Sequence, residues 1–165
     1  MIELNLVGVR LEATSQQPIV LLKELDGERV LPIWVDFPQA HAIAQAMQGV
    51  VPPRPMTHDL FHSVLQEVGI GVDRVEITEL RDGTFYALIH MSQNGSRFEI
   101  SSRPSDAIAL AVRGSVPIFA NEDVLTEAAI TVPSEDEEDQ QGERNDQEVE
   151  RFREFLDHVS PEDFA

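Results

Sequence analysis

The sequence predicts an α+β fold. One domain is expected, in which a duplicated β-β-β-α unit shares a mostly antiparallel or mixed sheet, followed by an amphipathic C-terminal helix. Three observations predict it. Short runs rich in Val, Ile and Leu are separated by Asp-Gly and Asn-Gly pairs, which make tight hairpins because these residues accept positive φ. Two Ala-rich helical stretches each open on Pro and close near Gly, the usual asymmetry of helix ends. A shift of 65 residues lays 42–52 over 107–117 with seven of eleven positions identical. Two Ala-rich helix ends can match by chance, but the similar order of strands and turns upstream favours a repeat.

The elements follow in order. Residues 2–13 read as a strand in which Gly8 marks a bulge or a close backbone approach. Gln16-Gln17-Pro18 is a turn, and 19–25 a second strand. Asp26-Gly27 is a hairpin signal with the Gly at positive φ, and 29–35 return as a third strand. Pro38 opens a helix that stops near Gly49. Three prolines in 50–55 make a connector. Thr57 reads as the N-cap of a helix through Leu60, Phe61, Val64, Leu65 and Val68, which Gly69 and Gly71 end. Residues 73–80, 84–92 and 96–101 are strands, with turns at Arg81-Asp82-Gly83 and Asn94-Gly95. Pro104 opens a helix over 105–113 that Gly114 terminates, and 117–120 form a short last strand.

Composition then divides the chain. Residues 1–133 form the domain. Residues 134–147 open on Ser134-Glu135-Asp136-Glu137-Glu138-Asp139, a self-repelling run that reads as an acidic disordered linker. In 148–165, Val149, Phe152, Phe155, Leu156 and Val159 recur at helical spacing before Pro161, which predicts an amphipathic helix. That helix is expected to dock on its own body or on a neighbouring subunit. The chain has 12 basic and 30 acidic residues, a net charge of -18. From 134 to 165 the net charge is -10, so the body is itself acidic at -8. Lys23 is the only lysine. Phosphate-backbone affinity rests on Lys/Arg contacts and counterion release, so a diffuse basic nucleic-acid surface is excluded, whereas a local Arg cluster is not. With no cysteine, disulfides and thiolate metal sites are excluded. The N-terminus lacks a signal-peptide pattern and no membrane span is expected, so the expected location is the cytoplasm.

Few residues carry chemistry. Asp106 falls in the first turn of a helix beside Arg103 and Ser105. In a functional reading Arg103 grips a phosphate, Asp106 holds a metal or a water, and helix N–H groups add to the anion site. In a plainer reading Ser105 and Asp106 only cap the helix. Thr57-His58-Asp59 is similar: His58 can serve as general acid/base near neutral pH or as a structural hydrogen-bonding residue. His58 and His62 share a helix face, but a zinc-protease helix needs Glu where Asp59 stands, and no third ligand follows. His41, His90 and His158 show no ligand spacing. P-loop, dinucleotide and Gly-x-Ser-x-Gly patterns are missing, as is an aromatic–basic stripe of a single-strand binder.

Several blocks carry a family resemblance: Arg103-Pro104-Ser105-Asp106-Ala107-Ile108-Ala109-Leu110-Ala111, Arg54-Pro55-Met56-Thr57-His58-Asp59-Leu60, Asp82-Gly83-Thr84-Phe85-Tyr86-Ala87 and Leu31-Pro32-Ile33-Trp34. In this order over about 1–133, the sequence resembles the bifunctional nuclease domain family. The C-terminal part resembles bacterial forms with an acidic extension. The resemblance implies an α+β domain that forms dimers or larger oligomers and a nuclease acting on DNA and RNA; for that activity the residues expected from their own chemistry are Arg54 and Arg103, binding substrate, and His58, Ser105 and Asp106, catalytic. Phosphodiester cleavage commonly uses a carboxylate-held divalent cation, Mg or Mn, for which Asp106 is the candidate ligand, or His and Arg/Lys instead. Two positions depart from the family pattern: Gln39 and Ser101 stand where many members carry Glu and Asp, and each departure removes a carboxylate that could hold a metal. The alternative is a non-enzymatic oligomeric scaffold or regulator using its acidic tail and C-terminal helix.

Overall fold

The structure, a computed structural model, describes residues 1–131; the linker and the C-terminal helix expected from the sequence lie outside the described residues. The strands are β1 (Ile2–Leu11), β2 (Pro18–Glu24), β3 (Arg29–Trp34), β4 (Gly71–Arg81), β5 (Thr84–Gln93), β6 (Ser96–Ser102), β7 (Ile118–Ala120) and β8 (Ile130–Thr131). The helices are α1 (Phe37–Met47), α2 (Thr57–Glu67), α3 (Pro104–Gly114) and α4 (Glu122–Ala128). All eight strands join one sheet in the order β6-β5-β4-β7-β1-β2-β3-β8. Every pairing is antiparallel except β4 with β7. The fold is therefore α+β with a mixed sheet. The order β-β-β-α occurs twice, as β1–β3 with α1 and β4–β6 with α3, and β7 sits where the two meanders meet. Common origin of the two runs is not required by that order.

Side-chain alternation builds the core. Val75 and Ile77 of β4, with Ala87, Ile89 and Met91 of β5, are buried on one face, while Arg74, Glu76 and His90 point to the other. Leu4, Val20, Leu22, Leu31 and Ile33 continue the buried face across the other meander. Ile43, Leu65, Ile108, Leu110, Val124 and Leu125 from the four helices complete the same cluster. Each fully buried large aliphatic side chain contributes about 1.5–3 kcal/mol of transfer free energy. Small residues let α3 lie deep: Ala107, Ala109 and Ala111 are each at most 1% exposed.

Several local expectations meet the structure directly. The bulge falls between Leu6 and Gly8 of β1. Asp82-Gly83 and Asn94-Gly95 take positive φ at both residues, as a type I′ hairpin requires. Three local readings are corrected. Gly27 does not adopt positive φ; the β2–β3 turn is instead held by Glu24, whose carboxylate accepts from Arg29 N (3.2 Å) and Arg29 Nε (2.9 Å). Gly114 belongs to α3, and the left-handed residue past the helix is Ser115 at φ 51°. Thr57 is not the cap of α2: Met56 is, and its N–H donates to Asp59 Oδ2 at 2.9 Å. α4 and β8 lay beyond the elements read from the sequence. Asn121 anchors them, donating its N–H to Ile77 O and its side-chain amide to Thr78 O. No helix among the described residues is long and apolar enough to cross a membrane.

Candidate functional site

The start of α2 carries His58 and the first turn of α3 carries Asp106. His58 Nε2 donates to Asp106 Oδ1 at 2.9 Å. Arg103, the N-cap of α3, donates from Nε to Asp106 Oδ2 at 2.7 Å. The Arg103 Nη1 lies 3.7 Å from Asp36 Oδ2, at the N-cap of α1. A continuous polar chain, Asp36–Arg103–Asp106–His58, thus links the starts of three helices, His58 and Asp106 lying 48 residues apart in the sequence.

Burial and charge define what these groups are. Burial alone would raise the Asp106 pKa, but hydrogen bonds from Arg103 and His58 outweigh it and hold the carboxyl below its usual range. The carboxylate in turn raises Arg103. An ionised carboxylate only accepts, so Nε2 of His58 carries the proton of this hydrogen bond. The imidazole is fixed in tautomer and orientation, the second-residue role that carboxylates play beside catalytic histidines. The capping role considered for Asp106 is not what its side chain performs: both oxygens face side-chain donors. Ser105 is 7% exposed.

Two cavities flank the chain. One, of about 480 Å³, is almost wholly apolar, with His58 and Asp106 at its edge among Phe61, Ile89, Met91 and Phe98. Ser102 also lines it, and its Oγ is buried without a hydrogen-bond partner. The other, of about 410 Å³, is lined by Arg103 together with Trp34, Asp36, Phe37, Phe85 and Ser105. The structure therefore brings together His58, Asp106, Arg103 and, beside them, Ser105. Arg54 is exposed and lines neither cavity. Among the described residues it makes no ion pair. His62 packs over Gly114, where a Cβ would sit 3.6 Å from its Cε1.

A divalent cation finds a poor donor set here. Among the described residues no group of three His, Asp or Glu side chains is arranged to hold a metal ion. Both oxygens of Asp106 are already engaged. Gln39 and Ser101 bring no carboxylate; the Gln39 Oε1 is buried without a partner and Ser101 is exposed.

Other contacts were not legible in the sequence. Asp59 of α2 accepts from Arg113 Nε at 2.6 Å, and Arg113 also donates to Ala109 O and Ala42 O, tying α2, α3 and α1 together. On the opposite face of the sheet His90 sits between Glu76 (3.0 Å) and Glu99 (3.1 Å). The signal for that second cluster is register: His90 pairs directly with Glu99 across β5–β6.

The family model described as the bifunctional nuclease domain matches residues 20–133. The chain is 44% identical over 162 residues to "Uncharacterized protein MT1877" of Mycobacterium tuberculosis, covering 98% of this chain and 97% of that one. It is 30% identical over 117 residues to "Bifunctional nuclease 1" of Oryza sativa subsp. indica, covering 68% of this chain and 35% of the rice protein. With "Bifunctional nuclease 1" of Arabidopsis thaliana it shares 31% over 121 residues, 71% of this chain and 37% of that relative. The chain thus spans about a third of the plant relatives and nearly all of the mycobacterial one. On this matched sequence and the fold it encodes, the chain belongs to the bifunctional nuclease domain family.

Proposed function

We propose that this chain is a nuclease hydrolysing phosphodiester bonds of DNA and RNA at the Arg103–Asp106–His58 chain. The observation that carries the reading is that chain itself: a histidine oriented by a carboxylate, next to an arginine. The plant relatives named as bifunctional nucleases support it.

Hydrolysis needs a deprotonated water and relief of charge on the phosphate. Water is the nucleophile common to both substrates, since DNA has no 2′-hydroxyl. His58 Nδ1 accepts the proton of the attacking water as its oxygen bonds to phosphorus and the P–O bond opposite breaks, the leaving oxygen taking a proton from solvent; Asp106 steadies the imidazolium that forms. Arg103 keeps Nε on Asp106 while its terminal nitrogens, whose one ion pair among the described residues is the 3.7 Å contact to Asp36, face the phosphate oxygens. Ser105 holds the start of α3, and Arg54 meets the substrate backbone farther from the reacting phosphorus. Mg or Mn remains a partner of the reaction to be tested, and no step is assigned to it because the donor set does not make a cage for it.

The test is cleavage of end-labelled single-stranded DNA and RNA by the full chain in Mg²⁺, Mn²⁺ or EDTA, beside His58→Ala and Asp106→Asn variants checked by circular dichroism. Loss of about 10²- to 10⁴-fold in the folded His58→Ala variant is expected for a removed general base. Equal activity in wild type and variants, or none in any condition, refutes the proposal.

A second reading, a self-associating scaffold, is favoured by one observation. α2 leaves Leu60, Phe61, Val64 and, just beyond it, Val68 exposed at 44–54%. A contiguous apolar face of this kind marks an interaction surface. The occupant proposed is a second copy of the chain.

A further inference from the structure

Trp34 and Phe37 are 52% and 63% exposed, although they are large aromatics of the kind usually buried. Strand alternation explains Trp34: Ile33 faces the core, so its neighbour faces out. Phe37 opens α1 immediately after the strand. Both line the 410 Å³ cleft that Arg103 and the half-buried Phe85 also line. That volume falls in the range of ~300–1,000 Å³ typical of small-molecule sites. Aromatic and cationic residues that are scattered in the sequence are thus gathered by the fold.

We propose that this cleft holds one unpaired nucleobase, stacked on Trp34 and Phe37, while the adjoining phosphate sits on Arg103. The substrate class is then single-stranded DNA or RNA. The proposal rests on the nuclease reading for its biological use, but binding at the cleft is separable from cleavage. Charge favours a base over a duplex. The acidic body cannot hold a polyanion by many cation contacts, whereas stacking needs no net positive surface. A duplex hides its base faces; an unpaired base presents them. Arg103, with Arg54 farther along the strand, gives at most two phosphate contacts, so log K should fall with log salt at a slope no steeper than about −1.4.

Trp34 is the only tryptophan in the chain, so its fluorescence reports the cleft directly. The full chain is titrated with a short single-stranded oligothymidylate carrying phosphorothioate linkages to resist cleavage. An abasic oligomer of equal length, a duplex and a Phe-containing peptide serve as comparisons. Saturable quenching by the single strand is expected, with affinity lower by roughly 5- to 150-fold for the abasic oligomer and for Phe37→Ala. Phe37 is exposed enough for that variant to keep its fold. No quenching, equal affinity for the abasic or duplex oligomer, or stronger binding of the peptide overturns the proposal. Quenching without cleavage would sink the nuclease reading and leave the base site standing. Cleavage with no quenching, and with unchanged KM in Phe37→Ala, would do the reverse.

Discussion

Arg113→Met should cost about 2–3 kcal/mol of stability, and the number follows from where the charges sit. Arg113 is 9% exposed at its side chain and Asp59 26%. Removing one member of a buried pair typically costs about 3–5 kcal/mol, because the other charge is left without its partner. Asp59 retains the Met56 N–H and partial contact with water, which lowers the expected penalty. The carbonyls of Ala42 and Ala109 lose charged donors as well. For a folded unit of this size, 2–3 kcal/mol corresponds to a fall in Tm of about 6–12 °C. Denaturant titration of wild type, Arg113→Met, Asp59→Asn and the double variant isolates the pair, with a coupling energy of about 1.5–3 kcal/mol expected. The pH dependence has a definite sign. Burial would raise the Asp59 pKa, but the Arg113 hydrogen bond and the Met56 N–H outweigh it and leave it lowered. The pair's stabilisation is therefore complete above the unfolded carboxyl value of about 3.9 and is lost as pH falls through the lowered folded value. A coupling energy below about 0.5 kcal/mol, or a penalty that persists unchanged at pH 2, would refute the reasoning. On the proposed nuclease reading, cleavage by the variant should also slow, because α2 holds His58 against Asp106.

Other outcomes follow from single features. Gly83→Ala forces a side chain onto φ +73° in a turn that also borders the aromatic cleft, and should cost about 1–2 kcal/mol in denaturant midpoint measurements; an unchanged midpoint would contradict the turn geometry. If a second copy covers the exposed face of α2, Leu60→Lys should shift the protein to monomer in sedimentation velocity without lowering its Tm; identical sedimentation would remove that interface.

Local periodicity and turn chemistry made most elements readable. Val75 and Ile77 alternate with Arg74 and Glu76, and Asp82-Gly83 and Asn94-Gly95 leave the chain little choice but a tight reversal. The start of α3 and the residues around it were legible for the same reason, since Pro, Ser and Asp crowd a first turn. Gly27 misled because a Gly in a turn is free to take positive φ but is not obliged to; the Glu24–Arg29 contacts decided otherwise. Two-residue β8 and seven-residue α4 are too short to show a period, and their place comes from Asn121 docking on β4.

The sequence by itself determined the α+β class, the family and the residues with usable chemistry, because hydrophobic spacing, turn residues and motif blocks are local properties. Tertiary structure alone decided what those residues do to one another. Asp106 could have capped its own helix, and only the packing of α2 beside α3 brought His58 to it. Trp34, Phe37, Phe85 and Arg103 form no stripe along the chain, and only the meeting of β3, α1, β5 and α3 puts them around one cleft. Hydrogen bonds and stacking act over a few ångströms, and separations of that scale between distant residues are set by the fold.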